Sequence, residues 1–265
     1  MATVKEIYQA VEKWAPFSIQ MDFDNAGFLV GRGEQEVTRV LVALDITKEV
    51  ILEAIEGHVQ LIVAHHPVIF HPLKALTDEN TTGEKLLLMA EHGIAGICAH
   101  TNLDAAQGGV NCKLAQILQL KCVEHLHPDG TDEQERVYGI GRIGEVHQPE
   151  MSAEEYAQFV KQKLNTSSVR FVDAGKTVTR VAVGGGSCGS MLSDALRTGC
   201  DTFVTADVKH DQYLEAKMLG INLMDAGHFA TENVICPELV QYIRTAFPEL
   251  EISIAASNSE PYQNI

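Results

Sequence analysis

The chain has 265 residues, 45% hydrophobic and 21% charged, the balance of a globular protein with enough length for one large or two medium domains. Twenty Lys and Arg against 36 Asp and Glu leave a net charge of −16, so the surface repels nucleic acid and anionic membrane, and no local basic patch offsets it. Six cysteines with no C-x-x-C pair exclude a zinc finger and a disulfide framework; with no apolar run of membrane-spanning length and no signal-peptide pattern at the first residues, a cytoplasmic protein is expected.

Thr3 and Glu6 make a capping-box pattern ahead of a helical stripe of Ile7, Ala10, Val11 and Trp14, which Pro16 ends. Residues 22–27 read as a polar, solvated turn. Residues 40–44 are a continuous apolar strand of the kind buried on both faces; Asp45 follows it, and Thr47 caps a helix through Gly57. Leu61, Ile62, Val63 and Ala64 make the next strand, which delivers His65 and His66 and is expected to stop at His66, because Pro67 cannot donate to a ladder. Adjacent residues of an extended chain point to opposite sides, so the two imidazoles can serve two metal ions or two walls of a cleft. The strand-helix-strand order predicts parallel pairing.

Thr81 and Glu84 read as a second capping box, opening a helix to Glu91. Residues 94–99 form a strand that delivers His100, Thr101, Asn102, Leu103 and Asp104, and a helix over 110–118 follows Gly108 and Gly109. Residues 124–136, charged and broken by Pro128 and Gly130, are the strongest boundary signal. Residues 137–146 read as a bent strand containing Gly139, Gly141 and Gly144, and Ser152 with Glu155 caps a helix to about Leu164. Strand 180–183 runs into a glycine-rich turn at 184–189 and a helix over 191–197. Strand 202–205, the loop 206–210 and a helix to Leu219 come next. Strand 221–224 delivers Asp225, Ala226, Gly227 and His228; a helix from about Thr231 to Thr245 and a strand at 252–254 close the chain.

The two halves are alike. Placing Thr38-Arg39-Val40 on Thr179-Arg180-Val181 without a gap also aligns Val42 with Val183, Ala54 with Ala195 and Val63 with Val204. With a small shift, Gly93 falls near Gly220 and His100 on His228, so His100-x-x-x-Asp104 overlays His228-x-x-x-Glu232. A diverged internal duplication is expected.

His65, His66, Asp104, His228 and Glu232 all stand at or just beyond the ends of apolar strands, where ligands of open α/β sheets gather. Neutral imidazole and carboxylate suit divalent Zn, Mn, Ni or Fe, and five such donors are enough for two ions if a carboxylate or hydroxide bridges them. Gly184-x-Gly186-x-x-Gly189 matches a dinucleotide fingerprint, but its acidic partner, Asp207, lies beyond the second strand. A tight strand-to-helix turn is expected there, offering an anion nest, and no nicotinamide cofactor.

His-His-Pro at 65–67, Ala-His-Thr-Asn-Leu-Asp at 99–104, Thr-Ala-Asp-Val-Lys-His at 205–210 and Gly-His-Phe-Ala-Thr-Glu at 227–232 together resemble, in order, the GTP cyclohydrolase I type 2 homologue family, the Nif-three-like dinuclear metal-binding proteins. Asp24-Asn25-x-Gly27 and the segment 255–261 resemble the family's two ends; Phe23 stands where the family usually has Trp, and Ala206 where it usually has Gly. The resemblance covers nearly the whole chain, without the middle domain that longer members carry. It implies two α/β domains with mixed sheets flanked by helices and a metal site in the inter-domain cleft. His65, His66, Asp104, His228 and Glu232 would be ligands to two divalent metals. His100 would lie close by, and Asp45 and Asp207 would orient imidazoles or face substrate. The resemblance also implies a ring-shaped homohexamer. The expected division is residues 1–124 with 225–265, and 125–224 as the inserted domain. The expected activity is metal-dependent hydrolysis of a phosphorylated, nucleotide-like small molecule, with GTP losing formate on ring opening and His100 or His210 moving protons. A non-catalytic metal-binding adaptor ring and a metal-dependent phosphoesterase are the alternatives.

Overall fold

The computed structural model describes residues 2–147 and 151–265. The chain forms two compact units: Met1–Leu103 with Ile235–Ser259, and Asp104–Val234 with Glu260–Ile265. These junctions differ from the expected ones near residues 124 and 225, for a packing reason. The helix Val110–Ile117 lies on the second unit's strands Arg142–Glu145 and Arg180–Val183, and the strand Asn222–Asp225 is hydrogen-bonded into the same sheet.

In the first unit the sheet runs in the order Glu251–Ile254, Arg39–Ala43, Leu61–Ala64, Ala95–Cys98, Gly27–Val30. The first four strands are parallel and the last is antiparallel. Leu61–Ala64 is buried at every position, as an apolar run covered on both faces requires. Leu41, Ala43, Ile62 and Ala64 pack against Val50, Ile51 and Ala54 of the Thr47-capped helix and against Leu86 and Met89. The strand stops at Ala64, two residues earlier than expected, although the His66 N–H still donates to the Leu44 carbonyl at 2.9 Å. The helix Thr81–Glu91 is capped by Asn80, whose side chain accepts from the Gly83 N–H, and not by Thr81.

The second unit's sheet has the order Arg170–Val172, Asn222–Asp225, Thr202–Thr205, Arg180–Val183, Arg142–Glu145, Lys121–His125. Asn222–Asp225, Thr202–Thr205 and Arg180–Val183 are parallel neighbours, joined by two parallel pairings, and the outer strands are antiparallel. Alternation along these strands fills two cores. Val181, Val183, Val204 and Met224 meet Tyr156, Ala157 and Val160 of the helix Ala153–Leu164 on one face. Ala182, Phe203 and Leu223 meet Leu192, Ala195 and Ala216 on the other. The expected bent strand at 137–146 is two strands, Val137–Tyr138 and Arg142–Glu145, parted by Gly139 and Gly141. The expected helix from Thr231 to Thr245 is also divided, into His228–Glu232, a 3-10 turn Asn233–Ile235 and Cys236–Ala246. Pro237 has no N–H to return to Asn233, so a continuous ladder is impossible there and Pro237 instead opens the next helix.

The duplication is visible in small hydrogen-bonded devices. Gln60 Oε1 accepts from the Thr38 N–H and hydroxyl, both at 3.0 Å, and from the Arg39 N–H at 2.9 Å. Asp201 Oδ2 accepts from the Thr179 N–H, the Thr179 hydroxyl and the Arg180 N–H, the two amides at 2.9 Å. Gly93 and Gly220, the pair matched by the shifted alignment, both take positive φ at 64° and 72° just past a helix. In each unit an antiparallel strand flanks the third parallel one: Gly27–Val30 beside Ala95–Cys98, Arg170–Val172 beside Asn222–Asp225. Among the described residues no helix is long and apolar enough to cross a membrane, and all six cysteines are free.

Each bracket joins a strand start to the strand beside it through one side-chain carbonyl or carboxylate. Gln60→Ala and Asp201→Ala should each lower the unfolding free energy by about 1–2 kcal/mol, read as a lower denaturation midpoint in thermal or urea titration.

Candidate metal centre

The first unit gathers three imidazoles beyond the ends of its parallel strands. His65 is fully buried, and its Nδ1 lies 2.7 Å from the Ala99 carbonyl oxygen. A carbonyl only accepts, so Nδ1 carries the proton and Nε2 keeps its lone pair. His66 Nδ1 meets Asp45 Oδ1 at 2.8 Å, and His100 Nδ1 meets Asp24 Oδ1 at 2.8 Å. Ring centroids are 5.0 Å apart for His65 and His66, 5.2 Å for His65 and His100, and 5.5 Å for His66 and His100. One ring nitrogen from each lies within 4.8 Å of the others.

Asp24 is the residue that sequence reasoning missed. The turn at 22–27 read as solvated, yet the Asp24 side chain is wholly inaccessible. It accepts from the Thr101 N–H at 3.0 Å and from the Thr101 hydroxyl as well as from His100. Burial pushes its pKa up, but the hydrogen bonds from His100 and Thr101 outweigh burial and bring it down to about 2. Asn102 completes the brace: its Oδ1 accepts from the His100 N–H at 2.9 Å, and its Nδ2 donates to the Ala15 carbonyl at 2.7 Å. The available signal was the likeness of Asp24-Asn25-x-Gly27 to the family's first motif. At the far end of the chain, Asn258 Oδ1 accepts from the Leu44 N–H at 2.8 Å, one residue before Asp45.

The second unit gathers Asp104, His228 and Glu232. Asp104 and Glu232 are both buried, at 8% and 3% exposure, and each offers an oxygen within 4.8 Å of the other's. His228 and Glu232 occupy the two ends of one short helix, with Nε2 and Oε2 2.8 Å apart. His228 Nδ1 is held by Asp207 Oδ2 at 2.7 Å, and Asp207 sits in the left-handed region at φ 51°, a conformation that Asp tolerates better than most residues. Asp45 and Asp207, expected to orient imidazoles, therefore do so. His210 stands exposed at the first position of the helix His210–Leu219.

The glycine-rich turn wraps this carboxylate pair. Gly186 has φ 62°, and a Cβ there would lie 1.9 Å from Glu232 Oε1. Four amides of this turn are engaged within the protein. The Gly184 N–H donates to the Val204 carbonyl at 2.9 Å, Gly185 to Asn111 Oδ1 at 2.9 Å, Gly186 to Thr231 Oγ1 at 3.0 Å, and Cys188 to the Gly186 carbonyl at 2.9 Å. These four donors are spent on bracing the turn, and the Gly186 N–H ties it to the helix that carries Glu232. Cys188, in the turn, is half-buried, and desolvation, then the charges of Asp104 and Glu232, push its thiol far up.

The donor chemistry fits divalent metal. In the first unit each imidazole is anchored through Nδ1 by an acceptor, the tautomer in which Nε2 is the nitrogen able to coordinate, and in the second unit two buried carboxylates accompany a fourth imidazole anchored the same way.

A family model described as Duf34/NIF3 (NGG1p interacting factor 3) matches residues 2–262, and the chain belongs to that family. It is 33% identical over 262 residues to a Lactococcus lactis protein named GTP cyclohydrolase 1 type 2 homolog, with 96% of each chain covered. It is 32% identical over 270 residues to a Streptococcus pneumoniae protein of the same name, covering 98% of each. A Staphylococcus aureus crystal structure superposes with a TM-score of 0.91 at 30% identity, covering 100% of this chain and 99% of that one. A Bacillus cereus protein related to NIF3 shares the fold with a TM-score of 0.93 at 24% identity, over 100% of this chain and 99% of that one.

Two outcomes test the local geometry. Gly186→Ala should displace the Glu232 carboxylate and reduce the metal bound per chain, measured by elemental analysis. The Asp24 pKa is depressed, so its stabilising contribution is complete above its ordinary value of 3.8 and is lost as pH falls through about 2. Unfolding free energy measured in chelator should therefore fall less between pH 4 and 2 in Asp24→Asn than in the native chain.

Proposed function

We propose that the chain is a dinuclear metal-dependent hydrolase of a phosphorylated small molecule, with GTP, opened in its imidazole ring with loss of formate, as the first substrate to test. The observations that support it most are the shared anchoring of four imidazoles through Nδ1 and the burial of two carboxylates in the second unit. His65, His66, Asp104, His228 and Glu232 would hold the ions, drawn from Zn, Mn, Ni or Fe. Bound divalent ions supply Lewis acidity and lower the pKa of a coordinated water from about 16 towards neutrality. Two carboxylates balance only half the charge of two divalent ions, so the donor set favours an anionic, phosphate-bearing substrate.

His100 is assigned to proton transfer. Asp24 fixes its ring through Nδ1, so that Nε2 would be the nitrogen that accepts or returns a proton. His210, exposed at a helix start, is the second candidate carrier. Burial raises the thiols of Cys98, Cys188, Cys200 and Cys236, which weakens these four as competing nucleophiles. Assembly as a homohexameric ring accompanies this reading through the motif resemblance alone.

Purified protein should carry about two divalent ions per chain, and Asp104→Ala or Glu232→Ala should each remove at least one. Full metal retention in both variants would overturn the ligand assignment. A nucleotide screen of the metal-loaded protein for released formate and phosphate separates ring opening from phosphoester cleavage, and no turnover of either kind would favour an adaptor. The rate should rise with pH to a plateau and collapse below about pH 6, where ligand histidines protonate and release metal. His100→Ala should lower the rate while most of the metal stays bound.

A further inference from the structure

We propose that Phe23 and Phe70 form a stacking platform for a planar heteroaromatic ring, the nucleobase of the substrate, beside His100. The inference rests on the hydrolase reading and adds to it the part of the substrate that is gripped. Both rings are exposed, Phe23 by 67% and Phe70 by 39%. Their centroids are 6.5 Å apart with planes at 66°, an edge-to-face pair. Phe70 in turn meets the His100 ring edge-on, at 6.1 Å and 83°. Three rings thus lead from open surface to the histidine cluster in two short steps.

A single exposed apolar side chain needs no explanation. Here the two loops carrying the rings are tied to each other and to the cluster. Asn25 Nδ2 donates to the Ile69 carbonyl at 2.6 Å, one residue from Phe70. Asp24, one residue from Phe23, is held by His100 and Thr101. The rings are therefore placed before any ligand arrives, and little ordering cost remains for binding. A phenyl face carries no charge and no hydrogen-bonding group, so it selects a flat π surface and is indifferent to phosphate. A base stacked on Phe23 with its edge against Phe70 would lie one ring from His100, with its phosphorylated end left for the divalent ions.

Phe23→Trp places a reporter at the platform, distinguishable from Trp14, which lies against Tyr242 at 4.7 Å. The metal-loaded, full-length variant is titrated with guanosine and, separately, with ribose 5-phosphate. Guanosine should quench the new emission saturably and ribose 5-phosphate should not. Phe70→Ala in the same background should weaken guanosine binding roughly ten-fold, the effect of losing one stacking partner. Equal response to both probes, no response to guanosine, or no effect of Phe70→Ala would overturn the assignment. So would an emission change that follows protein concentration alone, which would make the pair a subunit contact. Metal content is measured on each sample: base binding by protein that holds no metal or turns nothing over would refute the hydrolase reading and leave the platform standing.

Discussion

A hydrogen bond to Nδ1 decides which nitrogen of a histidine is left to act. In this chain it is made four times, by the Ala99 carbonyl and by Asp24, Asp45 and Asp207. Each acceptor fixes both tautomer and ring plane, and each depends on a different part of the fold. The Ala99 carbonyl sits just beyond a parallel strand, Asp45 follows another, Asp207 occupies a left-handed turn, and Asp24 comes from a loop that has no other reason to be buried. The sheets matter to the site chiefly because they bring these acceptors to strand ends, at the distances an imidazole needs.

What could be read in advance follows from how local each signal is. The apolar runs at 61–64, 180–183 and 202–205 are strands because nothing but a doubly covered sheet accommodates such a run in so few residues. Thr3, Thr47 and Ser152 cap their helices because the acceptor and the amide it satisfies lie three residues apart. The candidate donors stood out as polar residues beyond apolar strands, His65 and His66 after 61–64, Asp104 after 95–98, His228 and Glu232 after 222–225, strengthened by ordered motifs. Asp24 was not, because its partners lie 76 and 77 positions away and its neighbours Asp22 and Asn25 look like any solvated turn. Asn258, 214 positions from Leu44, escaped for the same reason. Domain limits were misjudged where polar composition and packing disagree: residues 124–136 look like a linker, but the helix before them already belongs to the second sheet.

The repeated frame is used differently in its two copies. The alignment that sets Thr38 on Thr179 also sets His66 on Asp207, so the position two residues beyond the middle strand carries an imidazole in one copy and the acceptor that steadies an imidazole in the other. The conserved bracket at Gln60 and Asp201 keeps the backbones alike while these chemically active positions diverge.

Gly186 carries that divergence to its end. The same alignment sets it on Asp45, a residue whose carboxylate is needed where it stands. At 186 even a methyl group would collide with Glu232. Neither copy can therefore take the other's residue at this position. The two copies are no longer interchangeable here: Asp45 is fixed by its hydrogen bond to His66, and Gly186 by the room that the Glu232 carboxylate occupies.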